Sequence, residues 1–265
     1  MEDNNELVDI ILNSIESSNT DIDFIKKTFN HNPDLLYYRD QYDDTWLHIT
    51  SEYTIFYHKK DDEILEILKC FIGQSYGSID INFKNRNDKT AIYRLVKNGR
   101  YECVNFLIKN GADIHDVHPY NSTLIACSYI CHPYIKYQMV KLLLEHDVDP
   151  NEQNSEGYTL LHLLFLGTNY SHDTIKLLLN YNAKIDILNI HNETCMKIIY
   201  DSIIIYTFAN ETMSEFIKDT CDIIYCHIIN KLKKVLAKEK IKKFLLKKIV
   251  LCPKSKYIQR LVKSF

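Results

Sequence analysis

Residues 149–181 decide how this chain folds: Asp149-Pro150-Asn151, then Gly157-Tyr158-Thr159-Leu160-Leu161-His162, then Ile175-Lys176-Leu177-Leu178-Leu179-Asn180-Tyr181. Thr-x-Leu-His opens one short helix, and Ile-x-x-Leu-Leu is the apolar face of a second. Neither helix could bury that face alone. A unit of this kind needs copies of itself on either side.

The copies are present. Aligned on the Thr that opens the first helix, they fall at Thr45, Thr90, Thr123, Thr159 and Thr194, with spacings of 45, 33, 36 and 35. Ten residues before each of the last four stands Asp80, Asp113, Asp149 or Lys184. Second helices follow in phase at Ile64–Leu68, Val104–Ile108, Val140–Leu144 and the Ile175 run. Residues 6–39 read as a degenerate first copy, with Leu7, Val8, Ile10, Ile11 and Ile15 in one helix and Phe24, Ile25 and Phe29 in the next. Terminal copies are commonly atypical because one face meets water.

A period near 33 with Thr-x-Leu-His and Leu-x-x-Gly-Ala-Asp (Gly111-Ala112-Asp113) resembles the ankyrin repeat. The resemblance covers about residues 20–200. It implies an all-α ankyrin-repeat solenoid of about five to six helix-turn-helix repeats with a C-terminal helical extension. The expected organisation is a capping repeat over 1–40, the array over 41–210, and a basic helical segment over 211–265. In the family the motif His bonds backbone in the neighbouring turn. His48 and His162 keep it, while Tyr93, Ala126 and Lys197 replace it, so those three joints should be less well specified. Gly111 suits a left-handed helix end, and Asp147 and Asn182 stand in its place elsewhere.

Composition agrees. Six Gly and five Pro in 265 residues make about 4%, where roughly 12% is ordinary, which favours dense helix with short turns. From Lys231 onward there are thirteen Lys/Arg and one acid, Glu239; residues 1–230 carry 19 basic and 34 acidic side chains. The body is acidic and the tail basic. The N-terminus Met-Glu-Asp-Asn-Asn-Glu lacks an apolar signal core, and no apolar run reaches the ~20 residues that span a bilayer. Eight scattered cysteines without a disulfide framework point to a reducing compartment.

No catalytic, cofactor or metal site is expected. Cys127-x3-Cys131-His132 and Cys221-x4-Cys226-His227 lack the paired spacing of a zinc site. There is no Gly-x-Ser-x-Gly, phosphate loop or His-Glu-x-x-His. Partner binding is expected instead at the projecting tips, among them Asp40, Tyr42, Asp43, Arg86, Asp88, Tyr120 and Glu156. Trp46 stands where the repeat usually has Pro, next to an insertion holding Tyr53, Phe56 and Tyr57. These four either pack together or form an aromatic anchor, since interface hot spots favour Trp and Tyr. The tail's readings are a solvated face, a dock for an acidic partner, or non-specific anion contact; one Arg and few aromatics there give no specific nucleic-acid reading.

Divergent repeats and Ile/Asn/Lys/Tyr-rich usage together resemble the ankyrin proteins of poxviruses. That resemblance implies a non-enzymatic viral factor in the host cytoplasm, or the nucleus. It would bind host proteins to extend host range or counter NF-κB or interferon responses. Many members end in an F-box-like segment that recruits the Skp1 adaptor of a cullin-1 ubiquitin ligase. Its Leu-Pro-x-Glu-Ile core is missing here, with only Cys252-Pro253 in a basic stretch. A substrate adaptor of that ligase and a cellular ankyrin scaffold are the alternatives.

Overall fold

The computed structural model describes residues 2–17, 20–52, 61–74, 79–115, 122–166, 171–199, 219–220 and 222–228. The chain divides into two compact units, Met1–Met196 and Lys197–Phe265. All regular structure among the described residues is helical. Of the second unit, 197–199, 219–220 and 222–228 are helical, with Ile198, Ile199 and Ile224 buried. The rest of the expected basic segment, and the expected boundary near residue 210, lie outside the described residues.

In the first unit the helices come in pairs. The first pair is α1 (Glu2–Glu16) and α2 (Ile22–His31), followed by a 3-10 turn at Pro33–Tyr37. Next come α3 (Trp46–Glu52) with α4 (Asp61–Gln74), and α5 (Ala91–Lys97) with α6 (Tyr101–Lys109). Then α7 (Thr123–Ala126), prolonged by a 3-10 turn at Cys127–Tyr129, pairs with α8 (Pro133–Glu145). Finally α9 (Leu160–Leu166) pairs with α10 (His172–Asn180), and residues 195–196 are again helical. First helices α3, α5 and α7 stack in one layer, and second helices α2, α4, α6, α8 and α10 in another. Each second helix buries a stripe at three- and four-residue spacing, such as Ile64, Ile67, Leu68 and Phe71 in α4. Burying one such side chain is worth roughly 1.5–3 kcal/mol, and the stripe is closed only by the neighbouring pair.

The starts of the first helices α3, α5, α7 and α9 are set by hydroxyls. At α3, the Thr45 N–H donates to His48 Nδ1 (3.3 Å) and the His48 N–H donates to Thr45 Oγ1 (3.4 Å). This is a capping box with imidazole in the place of a carboxylate. Because Nδ1 accepts, the ring proton is assigned to Nε2, which donates to the Lys89 carbonyl at 2.8 Å, 41 residues on. Thr159 and His162 repeat the arrangement, with Nε2 reaching the Ile187 carbonyl at 3.1 Å. Thr90 caps α5 through the Tyr93 N–H. At α7 the cap is Ser122, accepting from the Ile125 N–H at 3.2 Å, so the sequence alignment on Thr123 is one residue late. Keeping Leu two residues after the cap, as in Thr45-x-Leu47 and Thr159-x-Leu161, selects Ser122-x-Leu124. The family's His position is then Ile125 rather than Ala126.

The helix ends are equally regular. Gly111, Asp147 and Asn182 all take positive φ, at 90°, 63° and 69°. The next N–H in each case reaches back to the second helix, from Ala112 to Leu107, Val148 to Leu143 and Ala183 to Leu178. The three residues end their helices in one left-handed motif.

Trp46 corrects one expectation. It is 1% exposed, stacked on Phe71 (ring centroids 5.5 Å apart, 13° between planes) and edge-on to Phe29 at 5.8 Å. Its indole N–H donates to the Leu35 carbonyl at 2.7 Å. The ring is the core of the joint between the first two pairs, so it cannot meet a partner from the surface. Tyr53, Phe56 and Tyr57 lie outside the described residues.

Trp46→Ala should therefore cost about 3–5 kcal/mol and Leu178→Ala about 2–5, both read by urea denaturation. A Trp46→Ala chain as stable as the parent would overturn the burial. A second expectation concerns pH. Burial, chiefly, holds both His48 and His162 below the ordinary value of 6.5, so the unfolded chain takes up protons that the folded chain refuses. Stability is fully kept above about pH 6.5 and falls as the pH drops from there toward the lowered folded values. The urea midpoint of the parent should fall between pH 7.5 and 5.5 by more than that of His48→Gln/His162→Gln; equal falls would contradict it.

Candidate functional site: tips and inner face of the array

Four tips among the described residues are each built round one Asx side chain. Asp40, Asn85, Asn154 and Asn189 accept, through Oδ1, the N–H groups two and four residues on, all at 2.8–3.0 Å. Three residues after each, Asp43, Asp88, Gly157 and Asn192 take positive φ between 55° and 75°. Asx turns of this kind tolerate the left-handed conformation with Asp, Asn or Gly. Successive tips also join: the Arg86 N–H donates to the Tyr42 carbonyl and the Ile190 N–H to the Glu156 carbonyl, each at 3.0 Å. A Cβ on Gly157 would sit 2.9 Å from the Asn189 Cα, so only glycine lets these two tips approach.

This frame sorts the tip residues expected to bind. Tyr42 is 55% exposed, and Arg86 and Glu156 are exposed as well. Asp43 and Asp88 are half-buried, and Asp88 lies 3.8 Å from the Lys84 amine. The Asp40 carboxylate is taken up in its own turn, which leaves it a scaffold residue. Tyr120 lies outside the described residues.

Behind the Asp40 and Asn85 tips lies a buried ion pair the sequence reading missed. Arg94 on α5 holds Asp44 with two bonds, Nη1–Oδ2 at 2.8 Å and Nη2–Oδ1 at 3.1 Å. Asn85 Nδ2 donates to the same carboxylate at 2.6 Å, and Arg94 Nη1 also donates to the His48 carbonyl at 3.2 Å. A buried pair persists only when both charges are bonded this fully, and losing one partner strands the other. The signal for it was an Arg inside Ala91–Val96, a run in which every residue is buried.

In front of this pair, on the inner face, is a notch of about 170 Å³ lined by Glu52, Asn87, Lys89, Tyr93, Arg94, Lys97 and Asn98. A larger groove of about 520 Å³ runs between α8 and α10, past Tyr134 and Lys176. Cysteine chemistry is subdued. Burial pushes the Cys70 thiol to about 11 and those of Cys103 and Cys195 to about 12, which keeps them protonated and unreactive. Cys127 is buried while Cys131 is exposed, and Cys221 lies outside the described residues. Among the described residues no three His, Cys, Asp or Glu side chains group to hold a metal, and no helix is long and apolar enough to cross a membrane.

A family model described as ankyrin repeats (many copies) matches residues 125–171, and one described as ankyrin repeat matches residues 87–118. No curated protein sequence matches. Among solved structures, the ankyrin repeat domain of Bcl-3, a member of the IkappaB family, is similar at 23% identity with TM-score 0.53, over 68% of this chain and 73% of that one. The ankyrin repeat protein EF0377 is similar at 24% identity with TM-score 0.55, over 69% of this chain and 86% of that one. A chain from the complex of the Bdellovibrio bacteriovorus predatory endopeptidase Bd0816 with immunity protein Bd3460 is similar at 18% identity with TM-score 0.56, over 72% and 91%. At these identities the likeness is one of fold. Both family matches fall within the stacked helix pairs, and the fold is an all-α ankyrin-repeat array.

Proposed function

We propose that the array is a non-enzymatic protein-binding module that grips its partner across the tips and the inner face of the first helices. The observation that carries this is the tip frame. Its own polar groups are spent on Asx turns and on tip-to-tip bonds, so Tyr42, Arg86 and Glu156 project from a surface that is already ordered. Pre-ordering of that kind lowers the entropy lost on binding. One of the similar folds belongs to a complex of two proteins, which agrees with a binding role. The finer reading is a viral factor that binds host proteins in the cytoplasm against innate immune signalling. It rests on repeat divergence and residue usage alone. The alternative, a cullin-1 adaptor acting through the C-terminal segment, falls on residues outside those described.

Affinity purification of the full chain from cells, with mass spectrometry, should return a partner. The Tyr42→Ala/Arg86→Ala/Glu156→Ala variant should hold its melting temperature and lose about tenfold or more in capture, as expected for removal of interface side chains. A background-only list from the parent chain would overturn the proposal.

A further inference from the structure

The inner-face notch holds two cations that the fold sets against rings rather than carboxylates. Arg94 is spent on Asp44 and, at 3.4 Å from Nε, on Glu52. Lys89 and Lys97 have no carboxylate within ion-pair distance among the described residues. Each instead hangs over a ring, Lys89 at 5.6 Å from the Tyr93 centroid and Lys97 at 5.2 Å from that of Tyr129. Counting Arg94 with these lysines against Asp44 and Glu52 leaves one positive charge at the notch. It does so within residues 1–230, where acids outnumber bases 34 to 19. A local reversal of sign in an acidic body is a place where one anion is welcome and a chain of anions is not.

We propose that this notch receives a single acidic side chain, a carboxylate, from the bound protein partner, with Lys89 and Lys97 as its two cationic walls. The proposal rests on the binding reading above and narrows the partner to a protein that presents an acidic residue at its contact surface. The notch lies where that partner would run. Asn87 and Lys89 belong to a tip, Glu52 ends α3, and Tyr93 to Asn98 lie on or just after α5. Asn87 adds an exposed amide beside the lysines, suited to a carboxylate's remaining lone pairs, while the Asn98 amide is held by the Ser51 carbonyl at 2.9 Å. Partial burial first, and then Lys97 and Arg94, hold the Lys89 amine below the ordinary lysine value. A polyphosphate or an anionic membrane surface is disfavoured, because each further anion would meet the negative body.

The test is lysine acylation footprinting of the full chain by mass spectrometry, with and without an otherwise neutral peptide carrying one glutamate, and in a second arm with the same peptide carrying one phosphoserine instead. Lys89 and Lys97 should be protected by the glutamate peptide while Lys109 and Lys184, elsewhere on the surface, keep their rates. Lysines from residue 231 onward report separately on any binding by the basic tail. Unchanged rates at Lys89 and Lys97 overturn the proposal whatever the tail does, and protection by the phosphopeptide alone overturns the carboxylate assignment. In the capture experiment above, Lys89→Ala/Lys97→Ala should weaken recovery of the partner by roughly two- to tenfold, the scale of one or two exposed ion pairs. Full recovery by that variant would sink the notch and leave the binding reading standing. A footprint without any captured partner would do the reverse.

Discussion

Short helix pairs with an apolar face on each side have nowhere to put those faces except against one another. Every other feature of the array follows from this. The helices stack in two layers, and each stripe in one pair is completed by the next. Stacking fixes how far apart successive turns lie, which leaves the turns to be joined by hydrogen bonds of fixed length. Asn82 shows how: it accepts from the Asp113 N–H at 2.7 Å and donates to the Gly111 carbonyl at 3.2 Å, one repeat on. Asn151 does the same with Lys184 and Asn182.

The joints are not equally built. Between the second and third pairs, the His48 bond to Lys89, the Asp44–Arg94 ion pair and the Asn85 amide all cross the same boundary. Arg39 adds its guanidinium over the Phe83 ring at 4.4 Å. At the next boundary Tyr93 stands at the position of the family's His. The stability of such an array is close to a sum of repeat and neighbour terms, so each joint contributes its own share.

The same economy explains why binding belongs to side chains that the frame leaves over. Backbone polar groups at the tips are consumed by Asx turns, and the inner helices are held by their caps. What remains free to vary is what projects: Tyr42, Arg86 and Glu156 at the tips, and the two lysines of the notch. None of these belongs to the buried apolar stripes, so their chemistry can suit a partner while the stripes hold the fold.

From the sequence alone came the period, the paired helices, the caps at Thr45, Thr90 and Thr159, and the left-handed ends at Gly111, Asp147 and Asn182. These depend on residues a few places apart, and local chemistry is legible in local spacing. The tertiary structure decided what depends on residues far apart. Trp46 looked like an anchor beside an insertion, but Phe29 and Phe71, from two other helices, close over it. Asp44 and Arg94 are 50 residues apart, and nothing in either segment names the other. The lysine notch likewise exists only because stacking brings the end of α3 beside the tip and helix of the next repeat. Periodicity says that repeats stack; which side chains then share a boundary is settled only by the packing itself.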